Sequence, residues 1–99
     1  MVVLKGHRTV VANVDGECYV NETGNPGMAS GGMGDVLTGV IAGLLGQKLS
    51  LFDAARLGVY LHGLAGDLAA AEGGPVGLIA SDVLDRIPLA IRQYQNSPV

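Results

Sequence analysis

Asn21–Leu45 reads NETGNPGMASGGMGDVLTGVIAGLL and changes character halfway along. Up to Gly34 it is dominated by Asn, Thr, Gly, Pro and Ser with no helical or strand period, which predicts a loop. From Asp35 the apolar residues Val36, Leu37, Val40, Ile41, Leu44 and Leu45 leave almost no polar face, which predicts a helix buried on most sides. Gly39 and Gly43 fall four apart on one face, where they predict close approach by a neighbouring backbone. Gly46 is a suitable residue to end the helix.

Within this stretch, Gly31-Gly32-Met33-Gly34 places glycine at three of four positions directly before a helix. Without side chains in the way, backbone N–H groups can converge on a ligand. The unpaired N–H groups and positive dipole end of the helix then favour an anion such as phosphate. Gly31, Gly32, Met33 and Gly34 are therefore the expected anion hole. A carboxylate next to such a hole repels phosphate unless it has chemical work to do. Asp35 thus has two readings: a helix cap, or a general base for a hydroxyl attacking a phosphate. The spacing matches neither the Gly-Lys-Ser/Thr phosphate loop nor the GxGxxG dinucleotide fingerprint.

Before the loop, Val2–Leu4 predicts a buried strand and Thr9–Asn13 a second one. Asp15-Gly16 predicts a hairpin turn, with Glu17–Val20 as the return strand. Three short strands in twenty residues look like one edge of something larger. After the loop, Ser50 followed by Asp53 predicts a helix start. That helix runs to about Glu72 on a stripe of Leu57, Leu61, Leu64 and Leu68, and Gly73-Gly74-Pro75 breaks it. A last helix starts near Ser81, is interrupted or kinked at Pro88 and continues towards Tyr94, with a frayed tail over 95–99.

Ninety-nine residues with 16 glycines, no tryptophan and 15% charged residues suit a closely packed α/β enzyme better than a module built on aromatic anchors. A net charge of −3 gives no electrostatic footprint for nucleic acid. The most apolar run, Val36–Gly46, is too short to span a membrane. The lone Cys18 excludes an internal disulfide, so a reducing compartment, the cytoplasm, is expected. One cysteine and two distant histidines cannot form a zinc site, and no protein metal site is expected.

Several other residues carry two readings. Lys5 could face a phosphate or be solvated. His62 is expected to be packed and hydrogen-bonded rather than catalytic. Asp67 either orients His62 or faces water, and water is the expectation. Asn21 and Asn25 are expected to support the loop through local hydrogen bonds, and Glu22 could either do so or reach a magnesium-bound water. Met28 and Met33 are expected fillers, and Cys18 a packing residue.

The string GNPGMASGGMGDVLTGVIAGLL closely resembles the signature of the NAD(P)H-hydrate dehydratases, within the ribokinase-like superfamily. The similarity extends to Val3–Gly6 with Thr9–Ala12, to Tyr60–Asp67 and to Leu78–Asp82. The fold implied is α/β, residues 1–99 being the C-terminal portion of a ribokinase-like domain: short strands and a hairpin, a glycine-rich anion loop, then packed helices. A long preceding portion of the domain, which builds most of the parallel sheet in the family, is expected to be absent. The resemblance implies that Lys5, Gly6, His7, Arg8 and Thr9 contact the adenine nucleotide and that Gly34 lies at its phosphates. Asp35 is implied at the hydrated nicotinamide as substrate-binding residue and catalytic base. His7-Arg8 stands where small residues are common in the family, which leaves the nucleotide preference open.

The reaction implied is ADP- or ATP-driven dehydration with Mg2+. The ring hydroxyl of hydrated NADH or NADPH is phosphorylated, phosphate leaves, and the reduced cofactor is restored. Kinship also implies a homo-oligomer. Two rivals stand beside this reading. One is a small-molecule kinase of the same superfamily, acting on a hydroxymethylpyrimidine, thiazole or sugar alcohol. The other is an inactive piece that binds nucleotide or a partner chain through an exposed sheet edge and helix face.

Overall fold

A computed structural model of the chain describes residues 1–5, 8–29, 31–74 and 77–96. Three strands, β1 (Val2–Leu4), β2 (Val10–Ala12) and β3 (Cys18–Val20), form an antiparallel meander in the order β1-β2-β3. The Asp15-Gly16 turn forms as its residues dictate. Gly16 has φ +94°, a conformation that costs glycine little. Asn13 and Glu17 close the hairpin by an N–H···O bond of 2.7 Å, and the Asp15 carboxylate accepts from the Glu17 N–H.

The pairing Val3↔Val11↔Tyr19 puts these three side chains on one face of the sheet. There Val11 is fully buried, in a cluster with Leu37, Phe52, Ala55 and Val59. The alternate residues Val2, Leu4 and Val20 are exposed. The expected buried first strand is therefore buried only at Val3, and only partly, because among the described residues the sheet is covered on one face.

Three helices follow: α1 (Met33–Leu45), α2 (Leu51–Gly73) and α3 (Ala80–Asn96). The Ser50 hydroxyl accepts from the Asp53 N–H at 3.1 Å, the predicted cap of α2. The Asp53 carboxylate itself turns outward to Arg56, 2.9 Å away. At the start of α3 the contact is reversed: the Asp82 carboxylate, inside the helix, reaches back and accepts from the Ile79 N–H at 3.0 Å. Pro88 lies inside α3, which continues through it to Asn96. Gln95 and Asn96, expected to fray, are helical, and 97–99 fall outside the described residues.

The centre of the molecule is α2, not α1. It lies between the sheet cluster and a second cluster of Met33, Leu61, Ala65, Ala69, Leu78, Val83 and Ala90. Of the predicted stripe, Leu61 is buried while Leu57, Leu64 and Leu68 pack around this second cluster. Tyr60 meets Tyr94 of α3 edge-to-face at 5.9 Å, and the Arg86 guanidinium pairs with the Glu72 carboxylate.

By contrast, α1 buries only Met33 and Leu37, and Leu45 is 39% exposed. This corrects the expectation of a helix buried on most sides. One face of α1 lies on α2, where Ile41 is received at Gly58. Among the described residues, a Cβ at Gly39 or Gly43 would meet nothing within 4 Å, so the close approach expected there belongs to the glycines of α2 instead.

Candidate active site

The loop ahead of α1 is held down by side chains that the strands and α2 position. Asn21, 3% exposed, follows β3, and its N–H donates to the Thr9 carbonyl at 2.8 Å. Its amide nitrogen donates to the Val59 carbonyl at 3.1 Å, and its amide oxygen accepts from the Tyr19 hydroxyl at 2.9 Å. Burial raises the Tyr19 pKa above the usual tyrosine value, with the neighbouring Tyr60 adding to the effect, so the phenol stays a donor. The Thr23 hydroxyl donates to the Tyr60 carbonyl at 2.9 Å.

Asn25 caps a 3-10 turn over Pro26–Met28 by accepting from the Gly27 N–H at 3.0 Å. The Asp67 carboxylate accepts from the Gly24 N–H and from the Asn25 amide, each at 3.0 Å. Asn21 and Asn25 thus have the supporting role expected of them. Asp67 neither orients His62 nor merely faces water, because its oxygens are taken up by the loop.

Two glycines of α2 complete the attachment. Thr23 lies where a Cβ on Gly63 would stand, and the Met28 side chain occupies the corresponding space at Gly66. The spacing Gly63, Gly66, Asp67 puts two notches and an acceptor on one helical face. That is the sequence signal from which this contact could have been read. Met28 and Met33 are fillers as expected, Met33 being 3% exposed. Cys18 is in its strand but exposed, so it is not the packing residue expected. Glu22 is exposed.

The start of α1 lies two residues earlier than the periodicity predicts, at Met33. Gly32 is the N-cap, with φ +85° and no side-chain cap. Asp35 is the third residue of the helix and exposed, which discards the reading of Asp35 as the cap. Helix geometry leaves the N–H groups of Met33, Gly34 and Asp35 without partners inside α1. Directly over this turn stands Lys5, whose Nζ is 3.3 Å from the position of a Cβ on Gly34. A cation and the positive end of a helix therefore share one spot, and a side chain at position 34 would intrude on it.

Beside this spot opens a cavity of about 600 Å3. Lys5 and Thr9 lie on its wall together with Met28, Met33, Leu37 and His62. Gly31, Gly32, Gly34 and Asp35 are not on that wall, and Lys5 connects the two regions. Arg8 is exposed and away from the cavity lining, while Gly6 and His7 lie outside the described residues. Among the described residues no three His, Cys, Asp or Glu side chains gather as a metal site, and no helix is long and apolar enough to cross a membrane.

His62 is packed as expected, at 7% exposure, but its Nε2 has no hydrogen-bond partner among the described residues. Burial lowers its pKa below the usual histidine value. The Lys5 ammonium lowers it further, and the Met33 backbone opposes both. The imidazole is accordingly neutral at pH 7.

Residues 1–89 match the family model described as NAD(P)H-hydrate dehydratase. The bifunctional NAD(P)H-hydrate repair enzyme of Moorella thermoacetica is 55% identical over 96 residues, covering 97% of this chain and 18% of that protein. The ADP-dependent (S)-NAD(P)H-hydrate dehydratase of Neisseria meningitidis is 51% identical over 83 residues, covering 83% of this chain and 28% of that protein. Among solved structures, the ADP/ATP-dependent NAD(P)H-hydrate dehydratase of Bacillus subtilis, co-crystallised with ATP/Mg2+, superposes with a TM-score of 0.88 at 40% identity. The match covers 93% of this chain and 33% of that one. This chain therefore spans a third or less of each of these relatives. With its glycine-rich turn, the Lys5 ammonium over Gly34 and these matches taken together, the chain belongs to the NAD(P)H-hydrate dehydratase family.

Proposed function

We propose that residues 1–99 are the C-terminal part of a ribokinase-like dehydratase domain that returns hydrated NADH or NADPH to the reduced cofactor at the expense of ADP or ATP. The observation that carries this reading is the convergence of the Lys5 ammonium and the N-terminus of α1 at Gly34, one residue before Asp35. Lys5 and the N–H groups of the Gly31–Gly34 turn balance the charge of the nucleotide phosphates. Asp35 takes the proton from the ring hydroxyl as that oxygen attacks the terminal phosphate. Expulsion of phosphate, with loss of a proton from the neighbouring ring carbon to water, then restores the ring double bond.

The segment Lys5, Gly6, His7, Arg8 and Thr9 contacts the nucleotide, with Lys5 and Thr9 reaching it from the cavity wall. The donor set at Gly34 fits an anion. With no cluster of acidic or imidazole ligands among the described residues, Mg2+ would be held through the nucleotide phosphates and water, its usual mode of binding. The reaction would take place in the cytoplasm.

The experiment is to supply hydrated NADH with ADP or ATP and Mg2+ and follow the return of NADH absorbance, beside an Asp35→Asn variant. Nucleotide-dependent recovery that drops by about 100-fold or more in the variant is expected for loss of a general base. A folded protein that binds nucleotide and accumulates a phosphorylated small alcohol, with no NADH returned, would overturn the reading.

A further inference from the structure

His62 has no task in the arrangement described so far. It belongs to α2, the most buried helix, and contributes to the cavity beside Lys5. It is 7% exposed, and its Nε2 is without a hydrogen-bond partner among the described residues. A buried polar nitrogen left unpaired costs stability comparable to a lost hydrogen bond, so its retention calls for a reason.

The surroundings narrow that reason. The other polar side chains on the loop side of the cavity are already engaged. Asn21 is bonded to Val59, Thr23 to Tyr60 and Asn25 to Asp67. The remaining wall is largely apolar, with Met28, Met33, Leu37 and Val59, and a cation stands beside it at Lys5. A cavity of this size with apolar sides, one cation and one unsatisfied ring nitrogen suits a heteroaromatic ring carrying a phosphorylated tail.

We propose that His62 is a binding residue of this cavity, its imidazole hydrogen-bonding a polar atom of a nucleotide seated between the Asn21–Ala29 loop and α2. The inference rests on the nucleotide-using reading given above and adds to it a contact on α2. With the other ring nitrogen turned to the Met33 backbone, the Nε2 of the neutral imidazole is an acceptor, so it serves the N–H of a carboxamide or amine or a sugar hydroxyl. Two nucleotides offer this chemistry, the ADP co-substrate and the hydrated dinucleotide, and binding measurements on each separate them.

The test is calorimetric titration of the whole chain and its His62→Leu and His62→Gln variants with ADP and, separately, with hydrated NADH. The His62 ring nitrogens are followed by NMR in the unsubstituted protein. We expect His62→Leu to weaken one of the two ligands about tenfold, the worth of one hydrogen bond, and His62→Gln to recover most of the loss. The ring nitrogens shift on saturation with that same ligand. Wild-type binding with both variants unaffected, or with ring nitrogens unmoved by either ligand, overturns the role of His62 and leaves the nucleotide reading standing. Absence of binding by the folded wild-type chain overturns both. Should His62→Leu fail to fold, the nitrogen shifts and His62→Gln decide the matter alone.

Discussion

The Nζ of Lys5, at the end of β1, stands 3.3 Å from the point where a side chain on Gly34 would begin. Lys5, just past the first strand, and Gly34, in the first turn of the first helix, are nearly thirty residues apart in sequence and come together here. Lys5→Met removes the cation and leaves the helix end, and nucleotide affinity should fall about tenfold, as for one charge-assisted hydrogen bond. Gly34→Ala leaves the cation but pushes it aside, so a smaller loss in the same titration is expected. Weaker binding by the Gly34→Ala variant than by the Lys5→Met variant would mean that the backbone, not the ammonium, carries the anion.

The carboxylate of Asp67 takes two bonds from the loop, at Gly24 and Asn25. Asp67→Ala leaves both donors without their partner and should cost about 1–3 kcal/mol in denaturant unfolding. The more specific expectation is local: amide exchange at Gly24 and Gly27 accelerates while that of the sheet is unchanged. Equal acceleration throughout would show that Asp67 acts on the whole fold.

Glycines on the two helices should respond in opposite directions. A Cβ on Gly63 meets the Thr23 backbone, which cannot rotate away, so Gly63→Ala should destabilise by about 1–3 kcal/mol. A Cβ on Gly39 meets nothing within 4 Å among the described residues, and Gly39→Ala should stabilise by up to about 1 kcal/mol through helix propensity. Urea midpoints of the two variants against the parent protein check both signs.

Burial depresses the His62 pKa, and the sign of the resulting pH dependence follows. Between that lowered value and about 6.5, the unfolded chain binds a proton that the native chain does not. Stability therefore rises with pH through this window, is complete above it, and is lost as the pH falls. The thermal midpoint should drop as the pH falls below about 6.5, and His62→Gln should flatten that part of the profile. An identical slope in the variant would assign it to carboxylates.

The local chemistry of the chain was legible residue by residue. Asp15-Gly16 made its turn, Ser50 capped α2, and the glycines before Asp35 opened the helix end. What could not be read was burial. A helix as apolar as Val36–Leu45 and one as mixed as α2 differ in composition in the direction opposite to their exposure, because burial depends on what packs alongside. The start of α1 lies ahead of the apolar period because Gly32, in a left-handed conformation, caps through its backbone and leaves no side-chain signal. Gly63 and Gly66 were legible as small residues, but their partners, Thr23 and Met28, come from a segment some forty positions away.

Met28 occupying the space above Gly66 also bears on how such a sequence can vary. A larger residue at position 66 is admissible only with a shorter one at position 28, and a residue too short at 28 leaves a void over 66. The two sites are then free to change only together. In any collection of relatives they should be correlated, although one belongs to a loop and the other to a helix.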